Sequence, residues 1–338
     1  NNRKLVKIYL YLASLVALLC MAAQPAEAQR ILVGKKGRVV VMRTDSTSAQ
    51  EIGNQDGSRM NRARKTNHLQ ALAGNLRSDV DIDIPVSKAK QEKTFAVIIA
   101  NENYQEEVNV EFALNDGMAF REYCIKLLGI PESNLHIRKD ATLNNMLAEI
   151  NWMQNIAKAY GAEARFIFYY AGHGMPDESN GTSYLLPVDG KSNILATGYS
   201  MSRLYAELNG LNAACVTVLM DACFSGSKRG EGMLASARGV ALKAKAEAPK
   251  GNMLVMTAAQ GSETAYPYKE KKHGLFTYFL LKKLQESKGK VTYGDLFDYV
   301  KTNVAQKSVV VNEKSQTPTI AVSGDLVSTW QGIRLNED

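Results

Sequence analysis

Cys223 and His173 combine side-chain type and sequence setting in a way that suits nucleophilic chemistry. Each closes a short apolar run: residues 166–174 read FIFYYAGHG and residues 216–226 read VTVLMDACFSG. A thiolate is the strongest nucleophile that side chains offer near neutral pH. An imidazole beside it can take the thiol proton and return it to a leaving amine. Cys223 could instead be a buried inert thiol at a strand end, but Ser225 and Gly226 favour an exposed turn. Gly172 and Gly174 flank the histidine and would let a peptide substrate lie close to the backbone.

Placing these groups together requires two neighbouring strands. The runs before them are β-branched and aromatic, which predicts strands buried on both faces. In a parallel sheet, chemistry collects just past the carboxyl ends of the strands, so an imidazole and a thiol would share one rim. Further strands are expected at 94–100, 134–139, 184–189, 252–258 and 318–322. Helices are expected at 111–128, 142–160 with Thr142 as N-cap, 202–208, 274–286 and 293–305. This alternation implies a mostly parallel sheet covered on both faces.

The remaining sequence bounds the setting. A chain of 338 residues, 45% hydrophobic and 22% charged, accommodates one large globular domain plus appendages. The net charge of +7, from 41 basic and 34 acidic residues, is mild. No basic run interleaves with aromatics, so nucleic acid is not the expected partner. Arg3, Lys4 and Lys7 precede an apolar stretch at 8–23 and Ala26-Glu27-Ala28, which reads as a signal peptide cut near Gln29. The stretch is short for a bilayer span, and Leu19 argues against lipidation at Cys20. An exported chain, periplasmic or secreted and without stable membrane insertion, is the expectation.

Residues 29–92 read as a pro-segment or arm: a hairpin within 30–43, a polar linker at 44–59, a basic helix at 61–77 and an acid–apolar alternation at 79–85 that could add an edge strand. The arm could cover the active site or be a plain stalk. The core domain is expected over 93–324, with a tail at 325–338. Cys124 and Cys215 read as small core residues; a disulfide between them is possible but has no sequence support. His273 reads as a turn residue, and His68 and His136 as surface groups.

The two motifs together resemble caspase-like cysteine peptidases. His173 and Cys223 are 50 residues apart, close to the caspase spacing. The caspase motif Q-A-C-[RQG]-G is not matched, because Asp221 replaces the Gln and the Gly comes one residue later; D-A-C-F-S-G is closer to the metacaspase pattern D-x-C-x-S-G. The resemblance runs from about Thr94 to Val322. It implies a three-layer α/β/α sandwich around a mostly parallel sheet, a His173–Cys223 dyad without a third carboxylate, and an oxyanion hole from the amides of Gly174 and Cys223. In metacaspase-like enzymes the Asp two before the cysteine helps form an acidic pocket for a basic P1 side chain, and Asp221 holds that position. A second pocket carboxylate falls in an Asn-Asp pair on the first helix, here Asn115-Asp116. Two carboxylates in one pocket favour Arg or Lys and penalise neutral groups. Plainer readings remain for both: Asp116 as a helix-start carboxylate, Asp221 as a turn former.

By the same resemblance, Ser262, Glu263 and Tyr266 could face the substrate, and the Gly-, Ala- and Lys-rich segment 226–251 could be a processing linker or a surface loop. Many metacaspases bind calcium through carboxylates. Asp177, Glu178 and Asp189 are close in sequence but match no recognisable loop, so no metal or cofactor is assigned. The expected activity is hydrolysis of a protein or peptide substrate after Arg or Lys. The alternatives are a catalytically silent module that binds basic peptides or partner proteins, and a transpeptidase using the same thioester.

Overall fold

The computed structural model describes residues 31–33, 39–41, 77–177, 182–224, 249–261 and 263–336. The chain divides into two compact units, Asn1–Arg64 and Lys65–Asp338. In the first, β1 (Ile31–Val33) and β2 (Val39–Val41) pair antiparallel, as the hairpin reading of 30–43 requires. The expected signal peptide, the 44–59 linker, the 61–77 helix up to residue 76 and residues 226–248 of the expected processing linker lie outside the described residues.

The second unit is built on a six-stranded sheet. Its strands are β3 (Thr94–Ala100), β4 (Leu135–Lys139), β5 (Arg165–Ala171), β9 (Cys215–Asp221), β10 (Met253–Thr257) and β13 (Thr319–Val322). Their order is β13-β10-β9-β5-β3-β4. All neighbours pair in parallel except β13, which closes one edge antiparallel to β10. Strand β3 is buried at every position, which is why it reads as an unbroken apolar run. Short pairings lie outside this sheet: β6 (Gly174–Pro176), β7 (Ser183–Leu185) and β8 (Tyr199–Ser200) form one, β11 (Pro267–Tyr268) and β12 (His273–Gly274) another.

Among the described residues five helices cover the sheet: α1 (Ala113–Lys126), α2 (Leu143–Tyr160), α3 (Met201–Asn209), α4 (Leu275–Ser287) and α5 (Tyr293–Asn312). Side chains alternate across a strand. Ala96 and Ile98 therefore join one core with Phe120 of α1, Leu280 of α4 and Val300 of α5. Phe95, Val97 and Ile99 join the other with Met153 of α2 and Leu204 of α3. The result is a three-layer α/β/α sandwich around a mostly parallel sheet.

Two readings change. Helix α5 runs to Asn312 rather than Ala305; its last turn is tied down by Ser308, whose Oγ donates to the Lys314 carbonyl at 2.7 Å. The 79–85 stretch adds no strand: Asp79–Asp81 is a 3-10 turn with Val80 fully buried. Cys124 and Cys215 are both buried, as the core reading expects, and no disulfide joins them.

Helix α1 lies very close to β3 at Gly117, where a Cβ would sit 2.6 Å from the Ala100 Cβ. An exposed helical Gly→Ala change gains about 0.5–1 kcal/mol, whereas overpacking costs about 1–3 kcal/mol. The Ala100 methyl cannot rotate away, so Gly117→Ala is expected to destabilise the protein and lower its Tm. A Tm at or above wild type would mean that α1 can slide off the sheet freely.

Candidate active site

The site follows from the β5–β9 register. Ala171 pairs with Asp221, and the Gly172 N–H extends the ladder to the Asp221 carbonyl at 3.3 Å. His173 and Cys223 each stand two residues beyond that pair, so both leave the sheet at the same rim. They are 6% and 3% exposed, which places the thiol and imidazole in a nearly closed environment.

The loop that follows β3 grips the imidazole. The Tyr104 ring lies against the His173 ring with centroids 4.7 Å apart, and the Tyr104 hydroxyl accepts the His173 backbone N–H at 2.7 Å. Nε2 of His173 lies 2.6 Å from the Val108 carbonyl. A carbonyl can only accept, so Nε2 carries the hydrogen and Nδ1 is the nitrogen able to take up a proton. The Tyr170 hydroxyl reaches the carbonyls of His173 and Leu186 at 2.7 and 2.9 Å, and burial pushes its pKa up.

The glycines around His173 have a reason beyond substrate approach. A Cβ on Gly172 would meet the hydroxyls of Tyr104 and Tyr170, each at 2.7 Å. A Cβ on Gly174 would fall 2.6 Å from the Cys223 carbonyl and 2.5 Å from the Phe224 ring. The two motif backbones therefore touch, and only glycine allows it.

The two expected pocket carboxylates meet at the start of α4. Gly274, its N-cap, has no side chain to satisfy the first N–H groups. Asp116 takes the Gly274 N–H on both oxygens at 3.1 and 3.0 Å. Asp221 Oδ2 takes the Thr277 N–H at 3.2 Å and the Thr277 hydroxyl at 2.8 Å. Because that hydroxyl donates to Asp221, the Tyr169 hydroxyl, 2.6 Å from it, donates in turn to Thr277. Both carboxylates are fully buried.

His273 is not merely a turn residue. It is fully buried, with Nδ1 2.7 Å from Asp116 Oδ1 and Nε2 3.0 Å from Asp81 Oδ1. Burial by itself would lower its pKa; the hydrogen bonds to Asp116 and Asp81 outweigh that and raise it to about 9. His136 is likewise no isolated surface group: its Nδ1 lies 2.6 Å from the buried Glu149 carboxylate, and its ring stacks on Trp152 at 3.9 Å. His68 lies outside the described residues, as do Ser262 and Glu178.

Glu263 is turned inward, accepting from Thr317 N and Oγ1. Tyr266 is half-buried and close to the thiol: burial raises its pKa, and the neighbouring Cys223 adds to the rise. Asp189 is occupied with the start of α2, accepting the Leu143 N–H at 3.0 Å. Among the described residues no three His, Cys, Asp or Glu side chains are grouped to hold a metal. No described helix is long and apolar enough to cross a membrane.

Sequence reasoning missed Tyr104, the Val108 carbonyl, Thr277 and the role of His273. The position of Tyr104 just past the first buried strand was the available signal for the first two. The Gly-Leu-Phe-Thr helix start marked Thr277 without giving it a role.

A family model described as the caspase domain of the C14 peptidases matches residues 93–325. The chain belongs to that family. Caspase domains are cysteine peptidases, so the fold is that of a protease. Among solved structures, a Geobacter sulfurreducens protein is 18% identical with a TM-score of 0.52, covering 72% of this chain and 98% of its own. Caspase-1 from Spodoptera frugiperda is 15% identical with a TM-score of 0.49, covering 73% and 94%. No curated protein matches the chain.

The raised pKa of His273 gives stability a definite pH dependence. A group whose folded pKa exceeds its unfolded value contributes fully below the unfolded pKa, here 6.5, and loses that contribution as pH rises through about 9. The full effect is on the order of 3 kcal/mol. Asp79 acts at the other end. Burial would raise its pKa, but Lys271 and Lys282 lower it from 3.8 to about 2, so its contribution holds above 3.8 and fades toward pH 2. The urea midpoint of the wild type should fall between pH 7 and 9, and much of that fall should vanish in His273→Asn. Equal slopes for both proteins would contradict the charge assignment.

Proposed function

We propose that this caspase-domain protein is a cysteine endopeptidase that cuts after Arg or Lys through Cys223 and His173. The observation that carries the reading is the shared position of the two residues beyond the Ala171–Asp221 pair, with the Val108 carbonyl leaving Nδ1 of His173 as the basic nitrogen. In this scheme His173 takes the Cys223 proton and the thiolate attacks the scissile carbonyl. The backbone amides of Gly174 and Cys223 donate to the oxyanion. His173 then protonates the leaving amine, and water, deprotonated by the same imidazole, hydrolyses the thioester.

Preference for a basic P1 group is supported by the convergence of Asp116 and Asp221 on one helix start. Both carboxylates lack exposed surface. A P1 cation thus reads their charge through the first turn of α4 or displaces one of its donors. Processing within 226–251 would follow from the same specificity, since Lys228, Arg229, Arg238, Lys243, Lys245 and Lys250 lie there.

Fluorogenic peptides that differ only at P1 test both parts. Arg and Lys peptides are expected to be cleaved faster than Asp or Ala peptides, with activity abolished in Cys223→Ala and His173→Ala. Asp221→Asn should lower kcat/KM for Arg by roughly 10- to 100-fold, the scale of losing one buried charge partner (about 1.4–3 kcal/mol). Faster turnover of P1 Asp than P1 Arg would rule out the acidic pocket, and binding of basic peptides without turnover would make the chain a recognition module.

Tyr104→Phe offers a subtler check. It keeps the ring against the imidazole but removes the acceptor for the His173 N–H. The stability loss should be about 1–3 kcal/mol, the cost of a buried unpaired donor, and kcat should fall more than KM rises. An unaffected kcat would mean that His173 does not depend on this anchor.

A further inference from the structure

Residues 78–82 precede the stretch matched by the caspase-domain model, yet they are bound into the end of the domain that carries Asp116 and Asp221. Asp79 accepts from Lys271 at 2.8 Å, from Lys282 at 2.9 Å and from the Tyr278 hydroxyl at 3.2 Å. The Val80 carbonyl accepts from the Tyr123 hydroxyl at 2.8 Å, and Gln285 Nε2 donates to the carbonyls of Asp79 and Ile82 at 3.1 and 2.8 Å. Asp81 reaches deepest, to Nε2 of His273. A carboxylate oxygen then lies on each ring nitrogen of His273, one from Asp81 and one from Asp116. Carboxylates only accept, so both nitrogens must donate and the ring is an imidazolium.

We propose that His273 is a positioning residue for substrate specificity: Asp81 and Asp116 hold it as a fixed cation between the upstream turn and α1, and this fixes the start of α4 on which both pocket carboxylates rest. The inference rests on the basic-P1 reading above. It makes Asp79–Asp81 a working part of the enzyme rather than a removable arm. Asp81 from the upstream turn and Asp116 from α1 set the charge of the ring, Asn115 of α1 lies 3.3 Å from its Nε2, and Lys271, Lys282 and the Tyr278 hydroxyl are held on the neighbouring Asp79. Losing the cation has two opposed effects. It leaves Asp116 uncompensated, which strengthens attraction for a P1 cation, and it frees the α4 start, which misplaces both carboxylates. Because neither carboxylate is exposed, access depends on placement, and the second effect dominates.

The test is steady-state kinetics of the full chain on P1 Arg and P1 Ala peptides from pH 6.5 to 10, for wild type, Asp81→Asn and Asp81→Glu, with an NMR titration of His273. In the wild type, KM for the Arg peptide should be flat to about pH 8 and rise as His273 deprotonates near 9. In Asp81→Asn that rise should begin roughly one pH unit earlier. At pH 8 its KM for Arg should be about twofold higher than wild type and near pH 10 about tenfold higher, with kcat within about twofold and P1 Ala unaffected. Asp81→Glu should restore much of the loss. An Arg KM that is unchanged or lowered in a folded Asp81→Asn protein overturns the proposal. If that variant does not fold, a wild-type KM flat across His273's own NMR titration does the same. No wild-type preference for Arg over Ala would refute the basic-pocket reading itself, and wild-type data alone distinguish that failure.

Discussion

The parallel pairing of β5 with β9 is the constraint on which the site depends. Side chains in a strand alternate between faces, so a slip of one residue would send every side chain to the opposite layer. The observed register sets Ala171 against Asp221 and brings the two motif loops off the sheet together. The pair is stable only because both faces are covered. Sequence neighbours on β5 serve opposite faces: Tyr170 supports the carbonyl of His173, while Tyr169 reaches through Thr277 toward Asp221. A single strand thus fixes His173 from one layer and Asp221 from the other.

Burying carboxylates is costly unless they are hydrogen-bonded and compensated. Asp116, Asp221 and His273 are all fully buried, and each has its partners. The helix start and the carboxylates solve one another's problem. Gly274 cannot cap α4 with a side chain, so its first N–H groups need acceptors. The carboxylates need donors, and the positive end of the helix dipole favours them there. Neither partner would be tolerable alone, which makes this cluster a cooperative unit rather than a set of separable contacts.

Much of the scaffold was legible in the sequence because it is local. The run 94–100 forms a strand with those bounds, and Thr142 caps α2 by accepting the Asn145 N–H. What escaped was set by topology. Asp116 and His273 are 157 residues apart, and Asp81 and His273 are 192 apart. No local pattern announces such pairs. His136 and His273 look unpartnered when only sequence neighbours are weighed, and crossover connections bring Glu149, Asp81 and Asp116 to them. The 79–85 alternation carries a period of two, but its acids serve ion pairs rather than a strand face. Val309, Val310 and Val311 extend α5 past its expected end at 305.

The loop from 101 to 112 ties His173 and Asp116 together. It leaves β3 at the point where the chain order of the sheet reverses, with β4 on one side and β5 on the other, the place where an open α/β sheet opens a crevice. It supplies Tyr104 and the Val108 carbonyl to His173, and it runs directly into α1, which carries Asp116. Its end is strained: Phe112 sits at φ 72°, a left-handed conformation that costs a bulky residue on the order of 1–3 kcal/mol. The surrounding contacts hold that strain in place. Asp140 accepts the N–H groups of Glu102 and Asn103 at 2.9 Å, and Glu102 accepts the Leu114 N–H at the helix start, where Phe112 offers no cap. The tautomer of His173 and the position of Asp116 therefore depend on one short segment, and a change that relaxes Phe112 must disturb both at once.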